Sequence, residues 1–199
     1  MKNYFEIYSL GGIVNLIYNT LKTKLFYPRA KLVRFPIDFR GKKHISYGIG
    51  FTTGRYCRLE AYPIDKKSLA ILIGKNVQIN DFVHITGIKK VVIGDNVLIA
   101  SKVYISDSSH GSYSGDENDS DPNSIPKERL LFHKEVTIGN NVWIGESVSI
   151  LPGVIIGTGS IIGANSVVTK SIPDYSIAVG NPARVVKAYD FNTNRWVKS

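Results

Sequence analysis

Four histidines and one cysteine are the residues of this chain best suited to acid–base, nucleophilic or metal chemistry. A catalytic zinc site of the three-histidine type needs three of these side chains to converge on one metal ion. The histidines are His44, His84, His110 and His133, and no two of them stand four residues apart. A polar stretch of 22 residues separates His110 from His133. We therefore expect no metal site in this chain.

The single cysteine, Cys57, cannot form an internal disulfide, which fits a reducing compartment. It stands six residues after Phe51, which stands six residues after Ile45. This spacing predicts that Cys57 points into the core. Because a nucleophilic thiol needs an accessible and electropositive setting, we expect Cys57 to fill space and not to act in catalysis.

The elements that position these residues are predicted by a hydrophobic period of six. An aliphatic side chain returns at every sixth position at Ile138, Ile144, Ile150, Ile156, Ile162 and Val168. The same spacing occurs earlier, at Ile73, Ile79 and Ile85 and then at Ile93, Ile99 and Ile105. Six residues fit neither an α-helix nor a simple hairpin, so each hexad must be a short strand followed by a bend.

Three hexads make one turn of a triangular prism, and successive turns hydrogen-bond as parallel strands about 4.8 Å apart. Glycine or asparagine follows many of the aliphatic residues, as in the segment 73–76, and these residues tolerate positive φ at a sharp corner. A sandwich of hairpins would instead need turn signals every 8–12 residues. The sequence therefore predicts a mainly β protein, with a parallel β-helix over residues 45–172 and a short C-terminal extension, 173–199.

Two interruptions break the period. Two extra residues between Ile85 and Ile93 predict a bulge at Gly87–Lys90. Between Ile105 and Ile138, 27 extra residues predict a long loop, 106–135, inserted after the second coil. The loop is polar and acidic in its middle, so we expect it to be exposed and mobile. Long loops on compact domains usually carry function.

The N-terminal segment, residues 1–44, holds most of the chain's formal net charge of +9, because it has nine Lys or Arg and only two acidic residues. An apolar seam with alternating three- and four-residue spacing predicts an amphipathic helix in it, through Ile7, Leu10, Val14, Ile17 and Leu21. This helix could pack on the β-helix or on a neighbouring subunit, or it could rest on an anionic membrane surface.

The sequence contains no 18-residue apolar run and no signal-peptide cleavage site, so we expect a cytoplasmic protein, peripheral at the inner membrane if the helix contacts lipid. No nucleic-acid-binding motif accompanies the positive charge, so nucleic acid is not an expected partner.

Six segments match a known protein family: Gly74–Asp81, Ile105–Gly111, Asn141–Gly145, Ile150–Gly153, Ile162–Lys170 and Gly180–Arg184. Together with the hexads, they resemble the hexapeptide-repeat acetyltransferases over roughly residues 45–190. The chain is more similar to the sugar O-acetyltransferases of bacterial O-antigen and capsule glycans than to the galactoside and maltose acetyltransferases. The resemblance implies a left-handed β-helix, acetyl-CoA as donor, a glycan acceptor and a homotrimer with active sites between subunits.

The resemblance also implies roles for single residues. His110 matches the general base that takes the proton from the acceptor hydroxyl. Asp107, three residues away, is the residue we expect to orient the imidazole. Asn80 matches an acceptor-side position, and Asp81 and His84 are candidates for acceptor contact, although His84 could equally be structural. The galactoside-type enzymes carry an acidic acceptor ligand in the region of Thr86–Ile88, where this chain has none.

For acetyl-CoA, the resemblance implies a groove between adjacent prisms that accommodates the pantetheine arm. The positions matching the groove are Trp143, Gly145, Ala164 and Thr169, and those near the nucleotide phosphates are Lys170 and Arg184. A backbone N–H near Gly145 is the candidate oxyanion donor. Trp143 could instead pack only in a trimer, and Lys170 could be a solvated corner charge. The alternative functions are an antibiotic O-acetyltransferase, with the same fold, base and donor, and a non-catalytic scaffold.

Overall fold

A computed structural model describes residues 7–199. Within that range the chain forms one long α-helix, α1 (Leu10–Phe26), two short 3₁₀ turns (Lys42–His44 and Pro126–Glu128) and 22 strands. In chain order the strands are β1 (Ala30–Leu32), β2 (Ile37–Arg40), β3 (Ile45–Tyr47), β4 (Phe51–Thr53), β5 (Cys57–Ala61), β6 (Ile71–Ile73), β7 (Gln78–Ile79), β8 (His84–Gly87), β9 (Val91–Ile93), β10 (Leu98–Ile99), β11 (Tyr104–Ser106), β12 (Ser108–His110), β13 (Leu131–His133), β14 (Val136–Ile138), β15 (Trp143–Ile144), β16 (Ser149–Ile150), β17 (Ile155–Ile156), β18 (Ile161–Ile162), β19 (Val167–Val168), β20 (Ser176–Gly180), β21 (Ala183–Asp190) and β22 (Arg195–Lys198).

These strands form the three faces of a prism. Sheet A has the order β1-β4-β7-β10-β15-β18-β20-β21-β22, sheet B the order β19-β16-β11-β8-β5-β2, and sheet C the order β17-β14-β9-β6-β3. Strands within the coils pair in parallel. Antiparallel pairs join β20 to β21 and β21 to β22 at the C-terminal end of sheet A, and β12 to β13 at the base of the loop. The predicted parallel β-helix is confirmed.

The side chains at the sixth positions form the core. In sheet A, Ile79 pairs in register with Ile99, Ile99 with Ile144, and Ile144 with Ile162. All four are at most 1% exposed. Sheets B and C bury matching columns, so each coil stacks on the next through aligned aliphatic side chains. At about 25 cal/mol per Å² of apolar surface, this burial supplies most of the stabilisation of the prism.

The corners use asparagine and glycine for different reasons. Asn76, Asn96 and Asn141 adopt positive φ of 54–57°, and their side-chain amides hydrogen-bond in a ladder along the prism edge. Gly145 does not have positive φ; instead, a Cβ there would lie 2.6 Å from the backbone nitrogen of Ala164. At this corner glycine is required because successive coils approach closely, and not because of its φ.

The coils begin earlier than the boundary at residue 45 that the hexads predict. Strands β1 and β2 already pair in parallel with β4 and β5. This first coil is closed by aromatic side chains: the Tyr27 ring stacks on Phe39, with centroids 5.3 Å apart. Aromatic residues fill the end of the prism in place of aliphatic side chains at sixth positions, so the period does not reveal this coil.

Helix α1 presents its apolar seam to solvent in the single chain, so the seam does not pack on its own prism, which is one of the arrangements that the sequence left open. Leu10, Val14, Ile17 and Leu21 are 55–76% exposed, and Ile7, just before the helix, is 59% exposed. The opposite, polar face contacts the prism. There the buried Asn19 accepts a hydrogen bond from the Phe35 backbone N–H, and the buried Thr23 accepts one from the Val33 N–H.

The inserted loop is exposed, as predicted, but it is structured at its base. Strands β12 and β13 pair antiparallel, so the chain leaves and returns to the prism as a hairpin. Further out, the Arg129 guanidinium donates to the Ser124 hydroxyl (2.8 Å) and the Pro122 carbonyl (3.2 Å). The loop therefore has internal contacts that order its second half.

Candidate active site

His110 ends β12 at the base of the loop, with an exposed side chain. It borders a cavity of about 500 Å³. Its lining includes the apolar side chains of Phe132, Leu151 and Pro152, together with Tyr104 and Thr169. Among residues 7–199, the structure gives no hydrogen-bond partner to the His110 ring. The imidazole is therefore free to accept a proton from a hydroxyl placed in this cavity.

The position of His110 is fixed through its backbone. The Tyr113 hydroxyl donates to the His110 carbonyl at 2.6 Å, and Arg129 donates to the Tyr113 hydroxyl at 2.7 Å. Sequence reasoning did not find either residue, because no periodic or motif signal relates a tyrosine and an arginine that lie 16 residues apart in a loop. Both act as positioning residues for the histidine.

Asp107 does not contact His110, so its expected role as the orienting carboxylate is wrong. The side chain is fully buried and accepts hydrogen bonds from the backbone N–H groups of Ile88, Lys89 and Lys90 at 2.6–3.0 Å. Burial raises the pKa of Asp107, and these amide donors act in the opposite direction. Asp107 holds the predicted bulge at residues 87–90 against the start of the loop.

His84 belongs to a charged cluster on the outer face of sheet B. Its Nε2 lies 2.9 Å from a carboxylate oxygen of the buried Glu60, which also pairs with Arg40 at 2.7 Å. Burial tends to raise the pKa of Glu60, but the His84 hydrogen bond and the charges of Arg58 and Arg40 outweigh it and lower the pKa. The His84 ring lies 5.4 Å from that of Tyr104, so the cluster adjoins the His110 cavity through one side chain.

Asn80 and Asp81 lie at a second cavity, of about 390 Å³. They follow β7 at the corner between sheets A and B, whereas the loop with His110 leaves from the corner between sheets B and C. One chain therefore places the predicted acceptor residues and the predicted base on opposite borders of sheet B. Asp81 accepts a hydrogen bond from the Arg55 backbone N–H at 2.6 Å, so part of its role is to hold that corner.

The predicted acetyl-CoA residues divide between the same two borders. Trp143 is 51% exposed on sheet A. Gly145 and Ala164 come after the stacked strands β15 and β18, at the corner between sheets A and B. Thr169 lines the His110 cavity, and Lys170 follows it as an exposed side chain. The structure thus brings only Thr169 to His110 within one chain.

Arg184 lies apart from both borders, exposed on β21 in the C-terminal antiparallel extension of sheet A. Its guanidinium donates to the carbonyl of Ala183 at 2.9 Å. A role for it at nucleotide phosphates stays a prediction.

Cys57 is buried, as expected, and its thiol donates to the Asn80 carbonyl at 2.9 Å. Burial raises the pKa of the thiol to about 11. At neutral pH the side chain is therefore protonated and inaccessible, which are poor conditions for a nucleophile.

Residues 7–199 contain neither a cluster of metal-ligand side chains nor a helix suited to span a membrane. No group of three or more His, Cys, Asp or Glu side chains is arranged to hold a metal ion. No helix in this range has the length and apolar character needed to cross a membrane.

Known proteins share this sequence pattern and fold. The bacterial transferase hexapeptide family, defined by six repeats, matches residues 135–170. The galactoside O-acetyltransferase of Escherichia coli K12 is 44% identical over 117 residues, which are 59% of this chain and 53% of that enzyme. The crystal structure of AntD, an N-acyltransferase from Bacillus cereus, in complex with dTDP and 3-hydroxybutyryl-CoA, superposes with a TM-score of 0.66 at 24% identity, covering 82% and 84% of the two chains. This likeness shows the shared fold, a left-handed parallel β-helix.

A further relative matches almost from end to end. It is WbbJ of Escherichia coli K12, which is named as an O-acetyl transferase of lipopolysaccharide biosynthesis. The two sequences are 43% identical over 192 residues, 96% of either chain. Similarity of this extent includes the first coil, the loop with His110 and the C-terminal extension. The chain therefore belongs to the bacterial hexapeptide-repeat acetyltransferases.

Proposed function

We propose that this acetyltransferase transfers the acetyl group of acetyl-CoA to a hydroxyl of a sugar in a surface polysaccharide, such as O-antigen or capsule, or in its lipid-linked precursor. The observation that carries this proposal is the 43% identity to WbbJ across 96% of both chains. The cavity at His110 supports it, because an exposed imidazole without a protein partner suits general-base activation of an alcohol.

The proposed chemistry is a direct transfer with both substrates bound. His110 takes the proton from the sugar hydroxyl as its oxygen attacks the thioester carbonyl, and a backbone N–H near Gly145 stabilises the oxyanion. The tetrahedral intermediate then collapses, the carbon–sulfur bond breaks, and the thiolate of coenzyme A takes up the proton from His110. No acyl-enzyme forms in this scheme. Trp143, Gly145, Ala164, Thr169, Lys170 and Arg184 stay the candidates for binding acetyl-CoA.

An acceptor screen tests the proposed substrate class. We expect thiol release from acetyl-CoA to depend on addition of an oligosaccharide from a panel of O-antigen and capsule fragments. Release that depends on an antibiotic and not on any glycan would contradict the proposal and favour an antibiotic acetyltransferase. Coenzyme A binding by calorimetry, run beside the screen, shows whether the donor site is formed.

The direct mechanism predicts that Cys57→Ala retains activity. The substitution removes one buried sulfur, so we expect a loss of about 1–2 kcal/mol in the free energy of unfolding and a kcat within about twofold of wild type. Steady-state kinetics at a temperature where both proteins are folded checks this. A folded Cys57→Ala protein without activity would show that the thiol takes part in transfer.

We propose that the active site forms between two copies of the chain in a trimer. The separation described above supports this: Asn80, Gly145 and Ala164 lie on one border of sheet B and His110 and Thr169 on the other. A neighbouring prism would bring the two borders together. Light scattering coupled to size exclusion should give the mass of three 22.0 kDa chains, and an active monomer would contradict the shared site.

We also propose that α1 rests on an anionic membrane surface at the cytoplasmic side. Its apolar seam is exposed, and hydrogen bonds to Asn19 and Thr23 on the opposite face hold the helix to the prism. The helix contains no acidic residue, and Lys24 and Arg29 are exposed at its end. This combination of an apolar face with flanking cations suits anionic lipid, which adds about 1 kcal/mol of attraction per cation near the surface.

The double variant Ile17→Gln/Leu21→Gln should lose vesicle binding without losing stability. Both side chains are more than half exposed, so their replacement should change the free energy of unfolding by less than about 0.5 kcal/mol. The measurement is co-sedimentation with vesicles that contain roughly 30% anionic lipid, similar to a charged leaflet. We expect the bound fraction to fall at least tenfold.

The matched control is Ile49→Gln/Ile64→Gln, which replaces two apolar side chains that are each 66% exposed outside the helix. It should bind vesicles as the wild type does. If the α1 variant binds vesicles normally, or changes the oligomeric mass instead, the seam serves another purpose and the membrane proposal is wrong.

A further inference from the structure

The second cavity, beside α1, contains two arginines that the chemistry described so far does not use. It has a volume of about 390 Å³, and Tyr8, just before the helix, is among its lining residues. Its polar lining includes Arg34, Arg55, Gln78, Asn80, Asp81 and Ser101. Asn80 is the predicted acceptor-side residue, so these arginines lie where an acceptor sugar would bind under the proposed function.

Neither guanidinium has a carboxylate partner within 4.0 Å among the described residues. Arg34 donates to the backbone carbonyl of Thr53 at 3.2 Å, and Arg55 donates to the side-chain oxygen of Asn15 at 2.7 Å. Asp81 lies in the same cavity, but its recorded hydrogen bond is to the backbone N–H of Arg55. A guanidinium has five N–H donors, so most donors of both arginines are left for another group.

Two other arginines of this chain show the contrast. Arg40 pairs with Asp38 at 2.8 Å and with Glu60 at 2.7 Å, and Arg58 approaches Glu60 at 3.6 Å. Their charges are compensated within the protein. The charges of Arg34 and Arg55 face a cavity and are compensated by no acidic side chain at ion-pair distance in residues 7–199. That arrangement favours an anionic ligand.

We propose that Arg34 and Arg55 bind the phosphate or diphosphate through which the acceptor sugar is linked to its carrier. The inference rests on the proposed function and specifies its acceptor. Forked guanidinium groups match phosphate oxygens in pairs, and charge-assisted bonds of this kind are about twice as strong as neutral ones. The amides of Gln78 and Asn80, 3.1 Å apart, remain beside them for sugar hydroxyls.

The carrier could be a nucleotide or a lipid, since both provide a sugar diphosphate. The cavity lies against α1, because Asn15 of the helix accepts the hydrogen bond from Arg55. The other face of the same helix carries the exposed apolar seam. A lipid-linked acceptor would therefore place its diphosphate at the arginines and its apolar chain on the membrane side of the helix.

Pyrophosphate is the probe that tests the anion site. The full chain is titrated with pyrophosphate by calorimetry in the presence of saturating coenzyme A. Coenzyme A occupies its own phosphate site, so that site does not contribute to the signal. We expect Arg34→Gln/Arg55→Gln to weaken pyrophosphate binding at least tenfold. Arg55→Gln alone, at an exposed side chain, should weaken it severalfold and provides a test if the double variant does not fold.

The control is Lys31→Gln/Lys43→Gln, which removes the same charge from two exposed side chains of the same basic segment. It should leave the Kd for pyrophosphate within about twofold of wild type, because salt in the buffer screens the effect of distant charges. Equal weakening by the control and the arginine variant would mean a non-specific charge effect and would overturn the proposal, as would unchanged binding in both arginine variants.

The carrier is distinguished by competition against pyrophosphate. Uridine diphosphate represents the nucleotide source and farnesyl diphosphate the lipid source, and the better competitor identifies the carrier. Competition by both to the same extent would mean that only the diphosphate is read. Because the readout is binding, a failure of the proposed acetyl transfer would leave it intact, and His110→Ala should bind pyrophosphate as the wild type does.

Discussion

His110→Ala should lower kcat for acetyl transfer by two or more orders of magnitude while leaving the Kd for acetyl-CoA nearly unchanged. An alcohol is a poor nucleophile at neutral pH, and a positioned base contributes about 10²–10⁴-fold. The imidazole has no protein hydrogen-bond partner among the described residues, so its removal should not disturb the fold. Stopped or continuous thiol-release assays give kcat, and calorimetry gives the Kd of the donor.

The control for this variant is His133→Ala, which removes the other histidine of the same hairpin. His133 lies in β13 and pairs with Ser108 of β12, whereas His110 pairs with Leu131, two residues before His133. We expect His133→Ala to keep kcat within about fivefold, because it lacks a place at the cavity. Normal turnover by folded His110→Ala protein would show that another group is the base, and loss of donor binding would assign His110 to acetyl-CoA instead.

Asp107→Asn should destabilise the protein by about 2–4 kcal/mol, which is the scale of leaving buried backbone donors without an acceptor. The amide keeps one acceptor oxygen, but its NH₂ group would face the N–H groups of the 88–90 bulge. For a chain of this length we expect Tm to fall by roughly 10 °C. Thermal unfolding followed by circular dichroism measures the change.

The same variant separates anchoring from orientation of the base. If Asp107 only holds the loop, kcat of the folded Asp107→Asn protein should fall less than tenfold, far less than in His110→Ala. A loss as large as that of His110→Ala, without destabilisation, would restore the carboxylate to the catalytic pair. Asp116→Asn, at an exposed acid of the same loop, should change the free energy of unfolding by less than about 0.5 kcal/mol.

The error over Asp107 has a physical cause that the sequence contains. Successive side chains of a strand point to opposite sides, so residues three apart point away from each other. His110 ends β12, and Asp107 comes immediately before that strand. The three-residue separation therefore puts the carboxylate on the buried side and the imidazole on the exposed side.

The hexad period was sufficient to predict the coils, because a repeated inward residue leaves few other folds able to bury it. The seam of α1 was a different case. Periodicity predicts which side chains share a face, such as Val14, Ile17 and Leu21, but not which face the protein covers. Here the hydrogen bonds that Asn19 and Thr23 accept from backbone N–H groups fix the orientation of the helix and leave the apolar face outside.

Sites assembled from distant parts of the chain were the least predictable. Arg34 and Arg55 lie 21 residues apart, and only the stacking of the first coils brings them to one cavity. The pairing of Tyr113 with Arg129 depends likewise on the path of the loop. Local sequence patterns do not predict such contacts, because the contacts depend on the path of irregular backbone between the two residues.

The most direct test of the central claim follows the acetyl group itself. Isotope-labelled acetyl-CoA is incubated with an accepted glycan and either wild-type or His110→Ala protein, and the label is located by mass spectrometry. We expect the label as an ester on a sugar hydroxyl with the wild type, and at most about a hundredth of that amount with the variant. Label bound to the protein, or equal ester formation by both proteins, would contradict direct transfer with His110 as the base.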